Sequence, residues 1–214
     1  MRRPALLLTL AFAALAACTS GTEAGTDAPA QADVAPAASP DTAAKPAAVD
    51  GEAVAYYAGG CFWGVEHFLE KIDGVLDVES GYMGGTVKDP SYEQVLTHTT
   101  GHLEAVKVRY DPSKVTYEAI TKRFFEIHDP TQADGQGPDI GNQYLSAVFV
   151  ANDDEKATTE DLIGQLKERG YDVVTTVRPA AEFFGAEEYH QDYYVRHRKK
   201  PYCHFPVDRF GDGN

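Results

Sequence analysis

The sequence is short of positive charge. Its 214 residues include 19 Lys and Arg against 33 Asp and Glu, a formal net charge of −14. Two of the basic residues, Arg2 and Arg3, stand at the extreme N-terminus, so the remainder is more acidic still. Such a chain is a poor match for nucleic acid or an anionic lipid surface. The one basic cluster, Arg196-His197-Arg198-Lys199-Lys200, reads as a solvated helix face. There is no internal repeat and no phosphate-binding glycine loop, which removes solenoid architectures and P-loop nucleotide chemistry. Residues 19–50 hold no aromatic side chain and no periodic apolar pattern, only Ala, Pro, Thr, Gly and Asp in excess. That composition cannot bury enough surface to fold, so the stretch reads as a disordered tether. At random-coil scaling it reaches about 30 Å on average. Cysteine occurs three times and tryptophan once.

What is present begins with a targeting segment. Arg2 and Arg3 form a positive n-region and residues 6–14 an apolar h-region, too short to span a membrane and remain there. The segment ends Leu15-Ala16-Ala17-Cys18, which resembles the lipobox of bacterial lipoproteins. That resemblance implies cleavage before Cys18, lipidation of Cys18 and attachment to a membrane. An ordinary secretory signal with a coincidental Cys is the alternative. Thr19, where an Asp would suggest retention at the inner membrane, points to the periplasmic face of the outer membrane. The organisation is therefore a signal peptide (1–17), a lipidated Cys and tether (18–50) and one domain (51–214), long enough for a real core.

The domain is organised around Gly59-Gly60-Cys61-Phe62-Trp63-Gly64. A strand-like run, residues 54–58, leads in. Phe62, Val65, Leu69 and Ile72 then recur at helical spacing. Cys61 is thus expected at the first helical turn, where free N–H groups and the helix dipole favour an anion and lower a thiol pKa. The twin glycines allow a sharp turn and close approach of a substrate. A buried structural Cys among core aromatics is the plain alternative.

Further along, strands are expected over 75–82, 102–110, 145–150 and 173–177. Helices are expected over 116–127, 153–169 and 187–198, with a turn or short helix at 90–95. Residues 129–143 form a polar, Gly-rich loop of functional length. This order suggests an α+β fold, a two-layer sandwich on a split βαβ (ferredoxin-like) core, with an irregular C-terminal tail from Pro201. On the strand Leu103-Glu104-Ala105-Val106-Lys107-Val108-Arg109-Tyr110, Lys107 and Arg109 mark the wet face. Glu104 falls with Val106, Val108 and Tyr110 on the dry one. Desolvation raises the pKa of such a carboxyl and makes it a general-acid candidate. An edge residue reaching water is the alternative.

Five blocks in order now carry a resemblance: Gly60-Cys61-Phe62-Trp63-Gly64; Thr100-Gly101-His102-Leu103-Glu104-Ala105-Val106; Asp129-Pro130-Thr131; Gly141-Asn142-Gln143-Tyr144 with Ser146; and Tyr189-His190-Gln191-Asp192-Tyr193. Together they resemble peptide methionine sulfoxide reductase, type A, over nearly all of 51–203. The resemblance implies reduction of the S epimer of methionine sulfoxide, free or in oxidised proteins. It makes Cys61 the nucleophile and Glu104 the acid. Phe62 and Trp63 become the pocket for the sulfoxide's methyl group, and Tyr92, Asp139 and Tyr144 the polar groups around its oxygen. It implies no bound cofactor or metal and an external thioredoxin-like dithiol reductant; a monomer is expected. Met83, Leu145 and Pro138 depart from the usual pattern.

The chemistry has its own logic. A thiolate attacks the sulfoxide sulfur while a neutral acid donates to the oxygen; methionine leaves and the Cys becomes a sulfenic acid. With Cys18 lipidated, Cys203 is the remaining thiol, and a mobile tail could swing it in to resolve that acid. A structural Cys61–Cys203 bond is its rival. Other readings are a Cys-His hydrolase using His102 or His190, a metal site at His98 and His102, and a non-catalytic surface lipoprotein.

Overall fold

The computed structural model describes residues 51–211. The signal segment, Cys18 and the tether lie outside the described residues. The elements run β1 (Ala53–Gly59), α1 (Phe62–Leu69), β2 (Val75–Met83), α2 (Tyr92–Leu96), β3 (Leu103–Tyr110), α3 (Tyr117–Ile127), β4 (Gly135–Gln136), β5 (Asp139–Ile140), a 3₁₀ turn (Asn142–Tyr144), β6 (Ser146–Val150), α4 (Asp153–Glu168), β7 (Thr176–Pro179), β8 (Phe184–Gly185) and α5 (Tyr193–Arg196).

Six strands make one sheet in the order β7-β6-β1-β3-β2-β8. Within it β6, β1, β3 and β2 pair antiparallel. β3 lies between β1 and β2, the two strands that α1 connects, which is the split βαβ arrangement the sequence suggested. β7 adds parallel to β6 and β8 antiparallel to β2. The alternation of side chains sorts the two faces. Ala55, Tyr57, Val106, Val108 and Val148 join Phe62, Val65 and Leu69 of α1, Ile120 and Phe124 of α3, and Leu162 and Leu166 of α4 in the main core. Tyr56, Ala58, Leu103, Ala105 and Phe149 face the other way and are covered by Ala180 and Phe183.

Local chemistry sets the helix starts. Ser91 and Gln94 form a reciprocal capping box at α2, Thr116 caps α3 through Ala119 N–H, and Asn152 caps α4 through Glu155 N–H.

Several boundaries differ from the periodicity. The helix expected over 187–198 is only the single turn α5, because Asp192 is left-handed (φ 54) and breaks it. α1 stops at Leu69; Ile72 reaches the core from a following turn. The strand expected over 173–177 begins later, at Thr176. Val174 N–H is drawn to Pro130 O, while Val173 turns into the core. The 129–143 loop contains the small hairpin β4–β5. Its turn is Gly137-Pro138, with positive φ at Gly137 (55°), as a primed two-residue hairpin turn demands. Pro138 therefore fits the loop and presents Asp139.

Candidate active site

The site forms where β1 gives way to α1. Gly60 has φ 91°, a conformation that costs a residue with Cβ dearly, and its Cα sits against the Gln136 side chain. The turn leaves Cys61 as the N-cap of α1, with Gly64 N–H bonding back to Cys61 O at 3.1 Å.

Glu104, on β3, points into the same place. It is 2 % exposed, and its Oε2 accepts the Phe62 backbone N–H at 3.1 Å. Burial pushes its carboxyl up to about 8, against the pull of that hydrogen bond and helped by the nearby Asp139 charge. At neutral pH Glu104 is a carboxylic acid with a proton to give.

The aromatic wall comes from three elements. Trp63 stacks flat on Tyr193, ring centres 3.7 Å apart and 6° from parallel. Its indole N–H donates to His190 Nδ1 at 3.1 Å. Phe62 is fully buried between Tyr82 and His190. Tyr92 packs edge-on to His190 and hydrogen-bonds to Tyr144. Burial and the neighbouring Glu104 push both phenols up, Tyr92 to about 12, so both remain O–H donors. Glu187 pins this cluster, accepting from Tyr92 N–H (2.9 Å) and Tyr82 Oη (3.0 Å).

The tail does not hang free. Tyr202 Oη donates to both carboxylate oxygens of Asp139, at 3.0 and 2.9 Å. Cys203 is buried and reduced, and its thiol hydrogen-bonds with that of Cys61, also reduced. No swing is needed to bring the two sulfurs together.

That contact overturns one expectation. The Cys61 thiol is held well above its ordinary value, first by the hydrogen bond with Cys203, then by burial and by the Glu104 charge. The Trp63 N–H at the helix start pulls the other way and loses. Cys203 instead is lowered to about 6, first by Cys61 and then by His204. The two thiols titrate as a pair that shares one charge, and their contact in a dry site pushes Cys61 up and pulls Cys203 down.

The other histidines are occupied. His102 accepts from Gly85 N–H through Nδ1 and donates through Nε2 to Val87 O. His98 bonds Gln143. Among the described residues no group of three His, Cys, Asp or Glu is placed to hold a metal. His190 holds Trp63, so neither it nor His102 serves as the base of a Cys-His hydrolase. Sequence reasoning gave His190 only the role of a possible hydrolase base, quoted Tyr193 without a role and assigned none to Tyr202, Glu187 or His204. The signal for His204 was its place directly after Cys203.

Two reduced thiols in contact, one of them at a helix start beside a protonated carboxyl, define the class as a thiol-dependent oxidoreductase. Comparison with known proteins narrows it. The profile of the family described as "Peptide methionine sulfoxide reductase" matches residues 53–212. A peptide methionine sulfoxide reductase MsrA of Rhodopirellula baltica is 49 % identical over 154 residues, 72 % of this chain and 80 % of that protein. Among solved structures, Mxr1 from Saccharomyces cerevisiae in reduced form is 34 % identical with TM-score 0.68, over 73 % of this chain and 93 % of that one. Mxr1 in complex with Trx2 is also similar, at 25 % identity and TM-score 0.50, over 73 % of this chain and 91 % of that one. The chain belongs to the peptide methionine sulfoxide reductase family, type A. This excludes the reading as a non-catalytic surface lipoprotein.

Proposed function

We propose that the protein reduces the S epimer of methionine sulfoxide, free or within oxidised proteins, by attack of Cys61 on the sulfoxide sulfur. The observation that carries this is the reduced Cys61 at the head of α1 beside the buried, protonated Glu104. Phe62 and Trp63, with Tyr193 behind the indole, hold the methyl group. Glu104 gives its proton to the sulfoxide oxygen, and Tyr92 and Tyr144 donate hydrogen bonds to it as charge builds. Asp139 frames the oxygen from the hairpin. As Glu104 gives its proton to the substrate oxygen, its carboxylate takes up the proton of the Cys61 thiol, so the thiolate forms with substrate in place and Glu104 ends protonated. Methionine leaves, and the oxygen stays on Cys61 as a sulfenic acid. Cys203 then attacks the Cys61 sulfur; the S–O bond breaks, water leaves and a disulfide forms.

A thioredoxin-like dithiol returns the disulfide to two thiols. The likeness to Mxr1 captured with Trx2 supports that partner. No bound cofactor enters these steps. The lipobox-like Leu15-Ala16-Ala17-Cys18 supports a lipid anchor on Cys18, with residues 18–50 as the tether and the enzyme on the periplasmic face of the outer membrane, repairing envelope proteins.

The test is direct. The protein is incubated with a racemic methionine sulfoxide peptide and dithiothreitol, and the products are separated on a chiral column. Methionine appears and the S epimer disappears. Consumption of R at a comparable rate would sink the assignment.

A further inference from the structure

We infer that His204 is a catalytic residue of the second half-reaction, the acid–base partner that takes the proton from Cys203 as Cys203 attacks the Cys61 sulfenic acid. The inference rests on Cys203 being the resolving thiol.

Three observations meet at His204. Its Nδ1 lies 3.1 Å from Cys203 Sγ. Its Nε2 lies 2.7 Å from Gly59 O. The ring is buried, at 1 % exposure, directly under the start of α1. A carbonyl oxygen can only accept, so Nε2 carries the hydrogen. Nδ1 is then the nitrogen that faces the sulfur, and in the neutral tautomer it does so with its lone pair. A histidine oriented through one nitrogen and basic at the other is how proteins activate thiols and hydroxyls. The pocket is shaped for the ring: a Cβ at residue 64 would collide with His204 Nδ1, and only Gly64 leaves room for it. The same Gly59 that ends β1 before the nucleophile thus anchors the base of the resolving thiol.

The step balances. Once Cys61 is a sulfenic acid, the thiol contact that chiefly lowers Cys203 in the reduced enzyme is gone; Cys203 S–H then gives its proton to Nδ1, its sulfur bonds to Cys61 Sγ and the Cys61 S–OH bond breaks. The departing hydroxide takes up one proton to become water, equal to the one His204 received. Cys203 is oxidised to the disulfide and the sulfenic sulfur is reduced. No external oxidant is required. The titratable groups around Cys203 are Cys61 at α1, Glu104 on β3, Asp139 on β5, Tyr194 on α5, Tyr202 beside it and His204 itself.

His204→Gln separates chemistry from architecture. The Gln amide N–H reaches Gly59 O in place of Nε2, but no basic nitrogen faces the sulfur. One equivalent of substrate is added to reduced enzyme without reductant; methionine and dimedone-reactive Cys61 are followed together, with a thermal melt alongside. The expected result is that disulfide formation slows about 10- to 100-fold relative to the first methionine, within the range general base catalysis supplies. That deficit narrows at alkaline pH, where Cys203 ionises unaided. A disulfide forming at the wild-type ratio to methionine overturns the role. So does a variant with lowered melting temperature whose two steps slow in parallel, since His204 is then structural. Cys203→Ser run beside it tests the underlying reading separately: if no sulfenic acid accumulates there, Cys203 is not the resolving thiol, whatever the Gln variant does.

Discussion

Glu104 Oε2 accepts the backbone N–H of Phe62, the first residue of α1. The acid on β3 is thus tied to the peptide unit that immediately follows the nucleophile, so acid and thiol move as one piece. Rigid placement of this kind is what makes a proton donor effective.

The first prediction follows from the protonation of Glu104. Its carboxyl titrates at about 8, and the protonated form is the donor. The rate of the first turnover is therefore high below pH 8 and falls as pH rises through it. Glu104→Gln retains the shape but cannot supply a proton. It slows the first mole of methionine by about 10²–10⁴-fold and loses the alkaline fall. Cys61→Ser abolishes turnover. Single-turnover rates across pH 6 to 10 check all three.

The second concerns the thiols of the free, reduced enzyme. Cys203 is lowered to about 6 and Cys61 raised. Iodoacetamide, with the labelled peptides read by mass spectrometry, modifies Cys203 at lower pH than Cys61. In Cys203→Ser the Cys61 thiol moves back down, because its largest raising influence is gone. Cys61 ionising first in the wild type would contradict the pairing.

The third separates a resolving thiol from a structural one. Cys203→Ser delivers its first methionine and traps Cys61 as a dimedone-reactive sulfenic acid. Thioredoxin-supported turnover then collapses, and small thiols restore part of it. Loss of the first turnover together with a lower melting temperature would make the Cys61–Cys203 contact architectural.

The fourth concerns Glu66, a buried carboxylate on α1 that takes no part in the chemistry. Burial pushes it up to about 8; the Asp192 N–H opposes this and Glu70 adds to it. Unfolded, a Glu titrates at about 4.3. The folded pKa is the higher one, so the stability linked to this group is fully present below about 4.3 and is lost as pH rises toward about 8. Glu66→Gln removes that loss. Its melting temperature matches wild type near pH 4 and exceeds it by several degrees at pH 8, each 1 kcal/mol being worth about 2–4 °C at this size. Differential scanning calorimetry at the two pH values decides it.

The fifth concerns location. The mature chain begins at Cys18, carries lipid there and sediments with membranes. Cys18→Ala releases it or leaves it unprocessed. A soluble native protein with another N-terminus would remove the lipid anchor.

The split βαβ core was readable because strand alternation and helical spacing are strong in β3, α1 and α3. Glu104 was legible for the same reason: a carboxylate at a dry register is visible in a string of letters. Residues 187–198 misled because Tyr-rich spacing looks helical, whereas the left-handed Asp192 is set by contacts, including its backbone N–H to Glu66. The Cys61 thiol was misjudged because local position suggested an anion site, while the deciding neighbour, Cys203, lies far along the chain. His204 was hidden likewise: its two partners are Cys203, next to it, and Gly59, distant in sequence.

The bond from Tyr202 to Asp139 closes the tail over a pair of sulfurs that are 6 % and 5 % exposed. A disulfide formed there would start as covered as the two thiols are, so recycling by a protein-sized reductant is expected to wait on movement of the tail. At low reductant the rate scales with its concentration. At high reductant it levels off at the frequency with which the tail lifts, and more reductant gains nothing.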